Sequence, residues 1–220
     1  MAPLTQSLHP SGISPTTKEP NLFGWRVIPN LLNLPWLRKV WMPVPGVDIE
    51  IQNIVLSVAY EGVTFNLERL AKMLDNARYD PEVFPGIAYK SEDPPASFLI
   101  FSSGKMNCVG ARSMRDAKLA IKKLTQKLKK AGAKIKSEPK VQVQNIVASF
   151  DFKREFDLEK ISRMYENTEY EPEVFPGLVF RLEKPKAVVL LFVSGKGVCA
   201  GAKTMKDIEA AARAILKILK

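Results

Sequence analysis

The sequence predicts an α+β fold built from two copies of one unit that are related by a pseudo-twofold axis. A unit of about ninety residues occurs twice, with QNIV at 52–55 and 144–147 and PEVFPG at 81–86 and 172–177. Within each copy the hydrophobic periodicity changes from strand-like to helix-like and back. A period of this length is too long for a solenoid and indicates two homologous half-domains.

The composition is that of a globular protein with an excess of basic residues. The 220-residue chain has 33 Lys and Arg against 23 Asp and Glu, a net charge of +10. This charge favours a polyanionic partner, although a generically basic protein fits the charge alone equally well. No apolar run is long enough to span a membrane. The two Cys and one His are too few for a disulfide scaffold or a zinc site, so we predict no metal or cofactor.

Residues 1–46 have no counterpart in the duplication. They contain all three Trp and the only His. We interpret them as an N-terminal extension that is either mostly disordered or an artefact of a gene whose translation starts at Met42. The first repeat is then predicted at 47–136 and the second at 137–220.

The first strand and first helix of each copy follow from spacing. In VDIEIQNIVLSVAY, alternation places Ile54 and Leu56 on one face and Asn53 on the other. Asn66 and Asp157 are N-cap candidates, each followed by Leu-Glu. Apolar residues then recur on one helical face, at Leu67, Leu70 and Leu74 and at Leu158, Ile161 and Tyr165.

Two more strands and a long helix close each copy. SFLIFSSGKMNCVGA and VVLLFVSGKGVCAGA each indicate a strand, a Ser-Gly-Lys turn and a strand. Cys108 and Cys199 occupy equivalent places there, which indicates buried strand residues and fits a reducing compartment. The closing helices carry apolar residues at core spacing, at Ala117, Ile121, Leu124 and Leu128 and at Ile208, Ala212, Ile215 and Leu219.

Both faces of the paired strands are predicted to be apolar. Phe98 and Ile100 face one side, while Leu99 and Phe101 face the other. One layer of helices covers only one face, and a solvated second face would alternate apolar with polar residues. A dimer partner or the N-terminal extension would cover that face in one interpretation. In the other, the face is a binding surface for a large partner.

Charge favours duplex DNA as that partner. Basic residues bracket the strands at equivalent positions, namely Lys90, Lys105, Arg112, Arg181, Lys196 and Lys203. The minor groove has anionic rims and a floor with few hydrogen-bonding groups. Asn53 and Asn145 are placed to donate to acceptors on that floor near the axis. An apolar floor tolerates A·T pairs and disfavours the projecting amino group of guanine.

Two pairs of Phe suggest how such a duplex would be held. Phe84 and Phe175 each precede Pro-Gly, a turn dipeptide at which polar residues are usual. With Phe101 and Phe192 they form two symmetric pairs. We interpret them as wedges between base steps, whose unstacking is offset when bent DNA contacts more protein surface.

These motifs together resemble the TATA-binding protein family of general transcription factors from archaea and eukaryotes. The likeness runs from about Pro45 onward and depends on QNIV twice, PEVFPG twice, FSSGK with FVSGK, and the GAR and GAK that follow. It implies a saddle of one curved antiparallel sheet of ten strands, with four main helices on the convex face and DNA under the concave face. PVPGVDIEIQNIV looks archaeal, which implies a cytoplasmic location on the nucleoid, or a nuclear one if the source is eukaryotic.

The resemblance also implies roles for single residues. The four Phe become DNA wedges, and the six basic residues above become phosphate contacts. Base and groove contacts are implied for Asn53, Val55, Leu99, Asn107, Val109, Asn145, Val147, Leu190, Val198 and Ala200. Glu171, Glu173 and Val174 resemble the docking site for transcription factor B. The implied function is initiation of transcription at A·T-rich promoters, as a DNA-bound monomer that recruits transcription factor B and RNA polymerase.

Three positions depart from the family pattern. Asn107 stands where Val is usual. Val109 and Ala200 stand where the family usually has a Thr that hydrogen-bonds a central base. We therefore predict weaker discrimination at the central base steps.

Other classes of function remain open at this point. An enzyme is disfavoured because HExxH, GxSxG and a phosphate-loop motif are all absent. A protein-interaction scaffold and an RNA-binding tandem module stay as alternatives. The basic run between Arg115 and Lys130 is interpreted as a solvated helix face, with a surface for another factor or for upstream DNA as its alternative.

Overall fold

The computed structural model describes residues 44–218, which form two successive sets of one order of elements. The first set is β1 (Asp48–Ala59), α1 (Leu67–Met73), β2 (Ala77–Arg78), β3 (Gly86–Glu92), β4 (Pro95–Phe101), β5 (Lys105–Ala111) and α2 (Met114–Lys130). The second is β6 (Lys140–Asp151), α3 (Leu158–Met164), β7 (Thr168–Glu169), β8 (Leu178–Leu182), β9 (Ala187–Leu191), β10 (Lys196–Ala202) and α4 (Met205–Ile218).

The ten strands form one antiparallel sheet whose order is symmetric about its centre. The order is β2-β3-β4-β5-β1-β6-β10-β9-β8-β7. At the centre, Ile54 of β1 pairs with Ile146 of β6, its equivalent in the other repeat. Asn53 pairs with Val147 and Val55 with Asn145, so the pseudo-twofold axis passes through the isoleucine pair. The predicted two-repeat α+β saddle is confirmed.

The short helices begin where the sequence indicates. The side-chain oxygen of Asn66 accepts a hydrogen bond from the Arg69 N–H at 2.9 Å, and Asp157 does the same for Lys160. These caps satisfy backbone donors that a helix leaves free at its first turn. Leu74 and Tyr165 then turn to extended backbone and end α1 and α3.

The helices and one face of the sheet enclose two hydrophobic cores. In the first core, Leu56 and Ile100 are fully buried against Leu124 and Leu128 of α2. The second core is built in the same way from β6, β8, β9, β10, α3 and α4. All the apolar helix positions predicted from spacing are buried, except Tyr165, which is half-buried, and Leu219, which lies outside the described residues.

The predicted N-terminal extension also lies outside the described residues, apart from its last three positions. Val44 is buried in the core of the second repeat, and Val47 packs there as well. The domain boundaries therefore stay predictions. Among residues 44–218, no helix is long and apolar enough to cross a membrane.

Candidate nucleic-acid interface

The sheet surface turned away from the helices, here called the open face, carries the predicted groove residues. Strand alternation buries one set of side chains in the cores and leaves the other set half-buried. The predicted apolar contacts all belong to this second set, namely Val55, Leu99, Val109, Val147, Leu190, Val198 and Ala200. Asn107 lies among them with its side chain exposed. The alternation predicted from sequence is therefore confirmed, and it leaves a broad apolar surface accessible within the described part of the chain.

Asn53 and Asn145 are held in one orientation on either side of the axis. The Oδ1 of Asn53 accepts a hydrogen bond from the Gly110 N–H at 2.7 Å, and that of Asn145 accepts one from Gly201 at 2.8 Å. Because a backbone N–H can only donate, the oxygen of each amide is engaged in the sheet. The NH₂ group of each side chain is therefore the part available to a ligand, as two donors per amide.

Glycine is needed at both of these hydrogen-bonding positions. Gly110 and Gly201 have φ of 92° and 93°, which residues with a Cβ rarely adopt. The strand register shifts beside each, between Ile54 and Leu56 in β1 and between Cys199 and Ala202 in β10. Such a bulge turns the glycine N–H toward the neighbouring strand's asparagine. The GAR and GAK motifs thus set the orientation of the two amides.

The four predicted wedge residues form two ring pairs. The rings of Phe84 and Phe101 are 5.8 Å apart between centroids, and those of Phe175 and Phe192 are 6.0 Å apart. Phe84 is 36% exposed and Phe175 is 39% exposed, so these rings are not part of the cores. Both pairs meet edge to face, an arrangement that aromatic rings favour.

A glycine beneath each ring pair provides the space for it. A Cβ at Gly86 would lie 2.9 Å from the Phe84 ring and 3.2 Å from the Phe101 ring. At Gly177 the corresponding distances to Phe175 and Phe192 are 2.6 and 2.9 Å. The glycine after each Phe-Pro is therefore favoured by packing, because a Cβ there would crowd the rings.

The predicted phosphate-contacting residues are all exposed at strand ends, but they are not electrostatically equivalent. Arg181 in β8 is paired with Glu169 at 3.1 Å, with the guanidinium meeting both carboxylate oxygens. Lys90, its equivalent in β3, has no ion pair within residues 44–218. Where the second repeat has Glu169, the first has Arg78, opposite the exposed Ala88. The edge of the first repeat is therefore more basic on the open face.

Several residues of this surface were missed from the sequence. Arg78 is one of them, and Lys186 is another, lining a hollow of about 760 Å³ with Arg181 and Lys203. A comparison of position 78 in the first repeat with position 169 in the second would have identified Arg78. Lys186 has no basic counterpart in the first repeat, so the duplication gave no signal for it.

Two symmetric Gln–Ser hydrogen bonds across the centre were also missed. Gln144 donates to the Ser57 hydroxyl at 2.8 Å, and Gln52 donates to that of Ser149 at 2.9 Å. The sequence does carry the signal, because QNIV is followed in both copies by one residue and then Ser. These bonds tie β1 to β6 on the polar strip between the two apolar halves.

The predicted docking residues lie on an exposed loop before β8. Glu171, Glu173 and Val174 are all exposed, and Val174 is 80% exposed. The first repeat presents the same chemistry, since Val83 is 82% exposed beside Glu82. Exposure therefore permits docking at both loops, and it is the resemblance alone that selects the second.

The described residues offer no obvious metal centre. No group of three or more His, Cys, Asp or Glu lies close enough together in residues 44–218 to hold an ion. Cys108 and Cys199 are free and buried, as predicted, and burial raises their pKa to about 11 and about 12. Both thiols are therefore protonated at neutral pH.

Known proteins match both the sequence and this architecture. A sequence model of the family described as transcription factor TFIID (or TATA-binding protein, TBP) matches residues 48–131 and 140–220. The TATA-box-binding protein of Methanocaldococcus jannaschii is 45% identical over 179 residues, which cover 81% of this chain and 97% of the relative. That of Methanothermococcus thermolithotrophicus is 50% identical over 173 residues, which cover 79% and 94%.

The solved structure described as Methanococcus jannaschii TBP has the same fold. It superposes with a TM-score of 0.74 at 46% sequence identity and covers 78% of this chain and 97% of its own. The family is described as a transcription factor and not as an enzyme. With both repeats matched by the family model and the ten-stranded sheet matched by a solved relative, the chain belongs to the TATA-binding protein family.

Proposed function

We propose that this protein binds A·T-rich promoter DNA in the minor groove with its open face, bends it, and starts assembly of the transcription machinery. The relatives named above are TATA-box-binding proteins, and this chain is 45% and 50% identical to them over about four fifths of its length. Since these relatives are archaeal, we place its action on the nucleoid, in the cytoplasm.

One observation carries the proposal. An apolar open face has Asn amide donors at its centre, a ring pair toward each end and cations at its strand ends. The A·T minor groove has the complementary features, with acceptors on its floor, no projecting amino group, and two rows of phosphates. No single feature of this set is specific, but their symmetric arrangement matches the approximate twofold symmetry of a duplex.

The ring pairs provide a way to bend a straight duplex so that it fits this face. Inserting an apolar wedge into a base step costs about a few kcal/mol of stacking, a mechanism for which TATA-binding proteins are themselves the standard example. The cost is offset when the kinked duplex follows the face and buries more of it. Because the Phe rings are already partly exposed and held over Gly86 and Gly177, little rearrangement of the protein is needed.

Partners would join at the exposed loop of the second repeat. Glu171, Glu173 and Val174 offer two carboxylates beside an apolar side chain, which suits a basic partner with an apolar contact. In this proposal transcription factor B binds there, and RNA polymerase follows. The protein acts as a monomer on DNA, because one chain already supplies both halves of the binding surface.

The decisive experiment measures bending. An A·T-rich site is placed at different positions along a duplex, and gel mobility is compared for the wild type and for Phe101→Ala combined with Phe192→Ala. The wild type is expected to show position-dependent mobility, and the double variant is expected to lose it. Leu119→Ala, exposed on α2 away from the open face, serves as the control. Unchanged bending by the double variant would remove the wedge mechanism.

Binding assays separate this proposal from the alternatives. A protein-interaction scaffold predicts no salt-dependent binding to A·T-rich duplex, and an RNA-binding module predicts that RNA competes better than duplex DNA. Selection of sites from random duplexes then tests the central positions. A sharp TATA consensus would contradict weaker discrimination at Val109 and Ala200.

A further inference from the structure

The two halves of the open face differ in their capacity for hydrogen bonding, although they have the same architecture. One row of side chains crosses the first half as Leu99, Asn107 and Ser57 on neighbouring strands. The equivalent row in the second half is Leu190, Val198 and Ser149. The central position of the row is therefore an amide in one half and an isopropyl group in the other.

The hollows around these two positions are similar in size and share several residue types, but they differ in charge. The first, of about 610 Å³, is lined by Phe101 and Lys105 together with Asn107. The second, of about 650 Å³, is lined by Phe192 and Lys196 together with Val198. Each half thus has its own wedge residue, cation and serine, while three carboxylates, of Asp48, Glu50 and Asp151, line the second hollow alone.

A second row repeats the difference. Ser97 lies opposite Val109 in the first half, where the second half has Val188 opposite Ala200. Ser97 is exposed and Val188 is half-buried. In both rows, a polar residue of the first half, Asn107 or Ser97, is therefore replaced by valine in the second half.

The Asn107 amide is free to act on a ligand. Its side chain is exposed, and within residues 44–218 it makes no hydrogen bond to the protein. An Asn side chain offers one acceptor oxygen and two donor hydrogens. It can accept from the amino group of guanine and can equally donate to the acceptors of an A·T pair. Val198 can do neither.

From this we infer that the protein reads its two half-sites differently, with Asn107 accepting the minor-groove amino group of a G·C pair and Val198 excluding it. The inference rests on the proposed binding of duplex DNA to the open face. An amino group pressed against Val198 loses its hydrogen bond to water without replacement, which weakens binding by about tenfold or more. Opposite Asn107 the lost bond is replaced, so the penalty is small.

Of the three carboxylates at the second hollow, those of Asp48 and Asp151 are paired with Lys153, so Glu50 is the charged difference that needs a control. Beyond the serines, the first row continues to Gln142 and the second to Glu50. Glu50 is two strands away from Val198, about 10 Å at the usual strand spacing. Glu50→Gln makes the two rows alike at that position, and the difference between the half-sites is expected to persist in this variant.

The test uses 2,6-diaminopurine, which pairs with thymine and adds only the guanine-like amino group to an A·T pair. A duplex with two identical A·T halves receives the modified pair at one position at a time, either in one half or in both. The full-length protein is titrated with each duplex, and each affinity is divided by that for the unmodified duplex. A single modification leaves the protein free to bind in the orientation that places it opposite Asn107.

At one pair of equivalent positions in the two halves of the duplex, the affinity of the wild type is expected to fall by less than about twofold with one modification. With both positions modified it should fall by about tenfold or more. Asn107→Val should show the tenfold loss with a single modification. Val198→Asn should restore tolerance of both. Equal penalties in all variants, or an asymmetry that disappears in Glu50→Gln, would overturn this inference while leaving DNA binding intact. Failure of the wild type to bind the unmodified duplex would overturn the proposed function and this inference with it.

Discussion

At the scale of single residues, the open face is determined by hydrogen bonds that orient donors and by ion pairs that engage some of its cations. The Gly110 and Gly201 N–H groups engage the oxygens of Asn53 and Asn145, so each amide presents its NH₂. Glu169 pairs with the Arg181 guanidinium on one edge, while Lys90 on the other edge has no ion pair within residues 44–218. Residues that look equivalent in sequence therefore differ in what they offer a ligand.

The orientation of the central amides gives the first prediction. Asn53→Ala combined with Asn145→Ala should weaken binding to an A·T-rich duplex by about tenfold or more. The reason is that base acceptors on the groove floor lose the NH₂ donors of the two amides and are left without hydrogen bonds. The same variant should lose little on a duplex whose central adenines are 3-deazaadenine, since the N3 acceptor is already missing there. Fluorescence titration of both proteins with both duplexes measures the coupling. Equal losses of affinity on the two duplexes would show that the substitutions weaken binding by disturbing the protein structure and not by removing contacts to adenine N3.

The unequal edges give the second prediction. Lys90→Ala should lower the slope of log K against log salt by about one, the change expected for one phosphate contact. Arg181→Ala should lower it by less, because Glu169 already holds the guanidinium. Glu169→Ala should tighten binding by freeing Arg181. Binding titrations from low to moderate salt provide the slopes, and identical slopes for the Lys90 and Arg181 variants would refute this reading of the ion pair.

At the scale of elements, β5 and β10 each place one thiol in a core. Cys108 and Cys199 are fully buried, and desolvation is the main cause of their raised pKa. Their equivalence makes them matched probes of the two repeats. Since the sequence has no other cysteine, the number of thiols labelled per chain reports only on these two strands.

The third prediction follows from that burial. A thiol reagent should label the native protein very slowly at neutral pH and should label both residues in denaturant, because the thiolate is the reactive form. Above about pH 8.5 unfolded thiols ionise while the buried ones stay protonated, so stability should fall as pH rises. Mass spectrometry of labelled peptides follows each cysteine separately. Rapid labelling of either one in the native protein would contradict the burial of its strand.

At the scale of the whole molecule, the two repeats share a single sheet through β1 and β6. Each of these strands has twelve residues, and their pairing places equivalent isoleucines opposite each other at the axis. A repeat without its partner would expose a long unpaired edge, which favours pairing with another chain. Because β1 and β6 are homologous, a second copy of β1 can replace β6.

The fourth prediction is that residues 47–136 alone form a dimer through β1. In that dimer Asn53 would pair with Val55 of the second copy, as Asn53 and Val55 pair with Val147 and Asn145 in the full chain. Sedimentation equilibrium over a range of concentrations measures the association. A folded fragment that stays monomeric at tens of micromolar would show that β1 does not need a partner strand.

The sequence alone predicted the duplication, the fold class, the faces of the strands and the helix caps, because all of these depend on local spacing. Strand alternation assigns Leu99 and Ile100 to opposite faces whatever the neighbouring strand is. Asn66 caps its helix through a contact three residues away. The Phe pairs were found because the same unusual Phe-Pro-Gly occurs twice.

Only the tertiary structure decided which residues meet across strands. The partners of Asn53 and Arg181 are Gly110, which lies far away in sequence, and Glu169, which lies on a neighbouring strand. The difference between Asn107 and Val198 became informative once both were found between equivalent leucines and serines. Such neighbours depend on strand order, register and bulges, which are set by the packing of the whole sheet and leave no periodic trace in a single sequence.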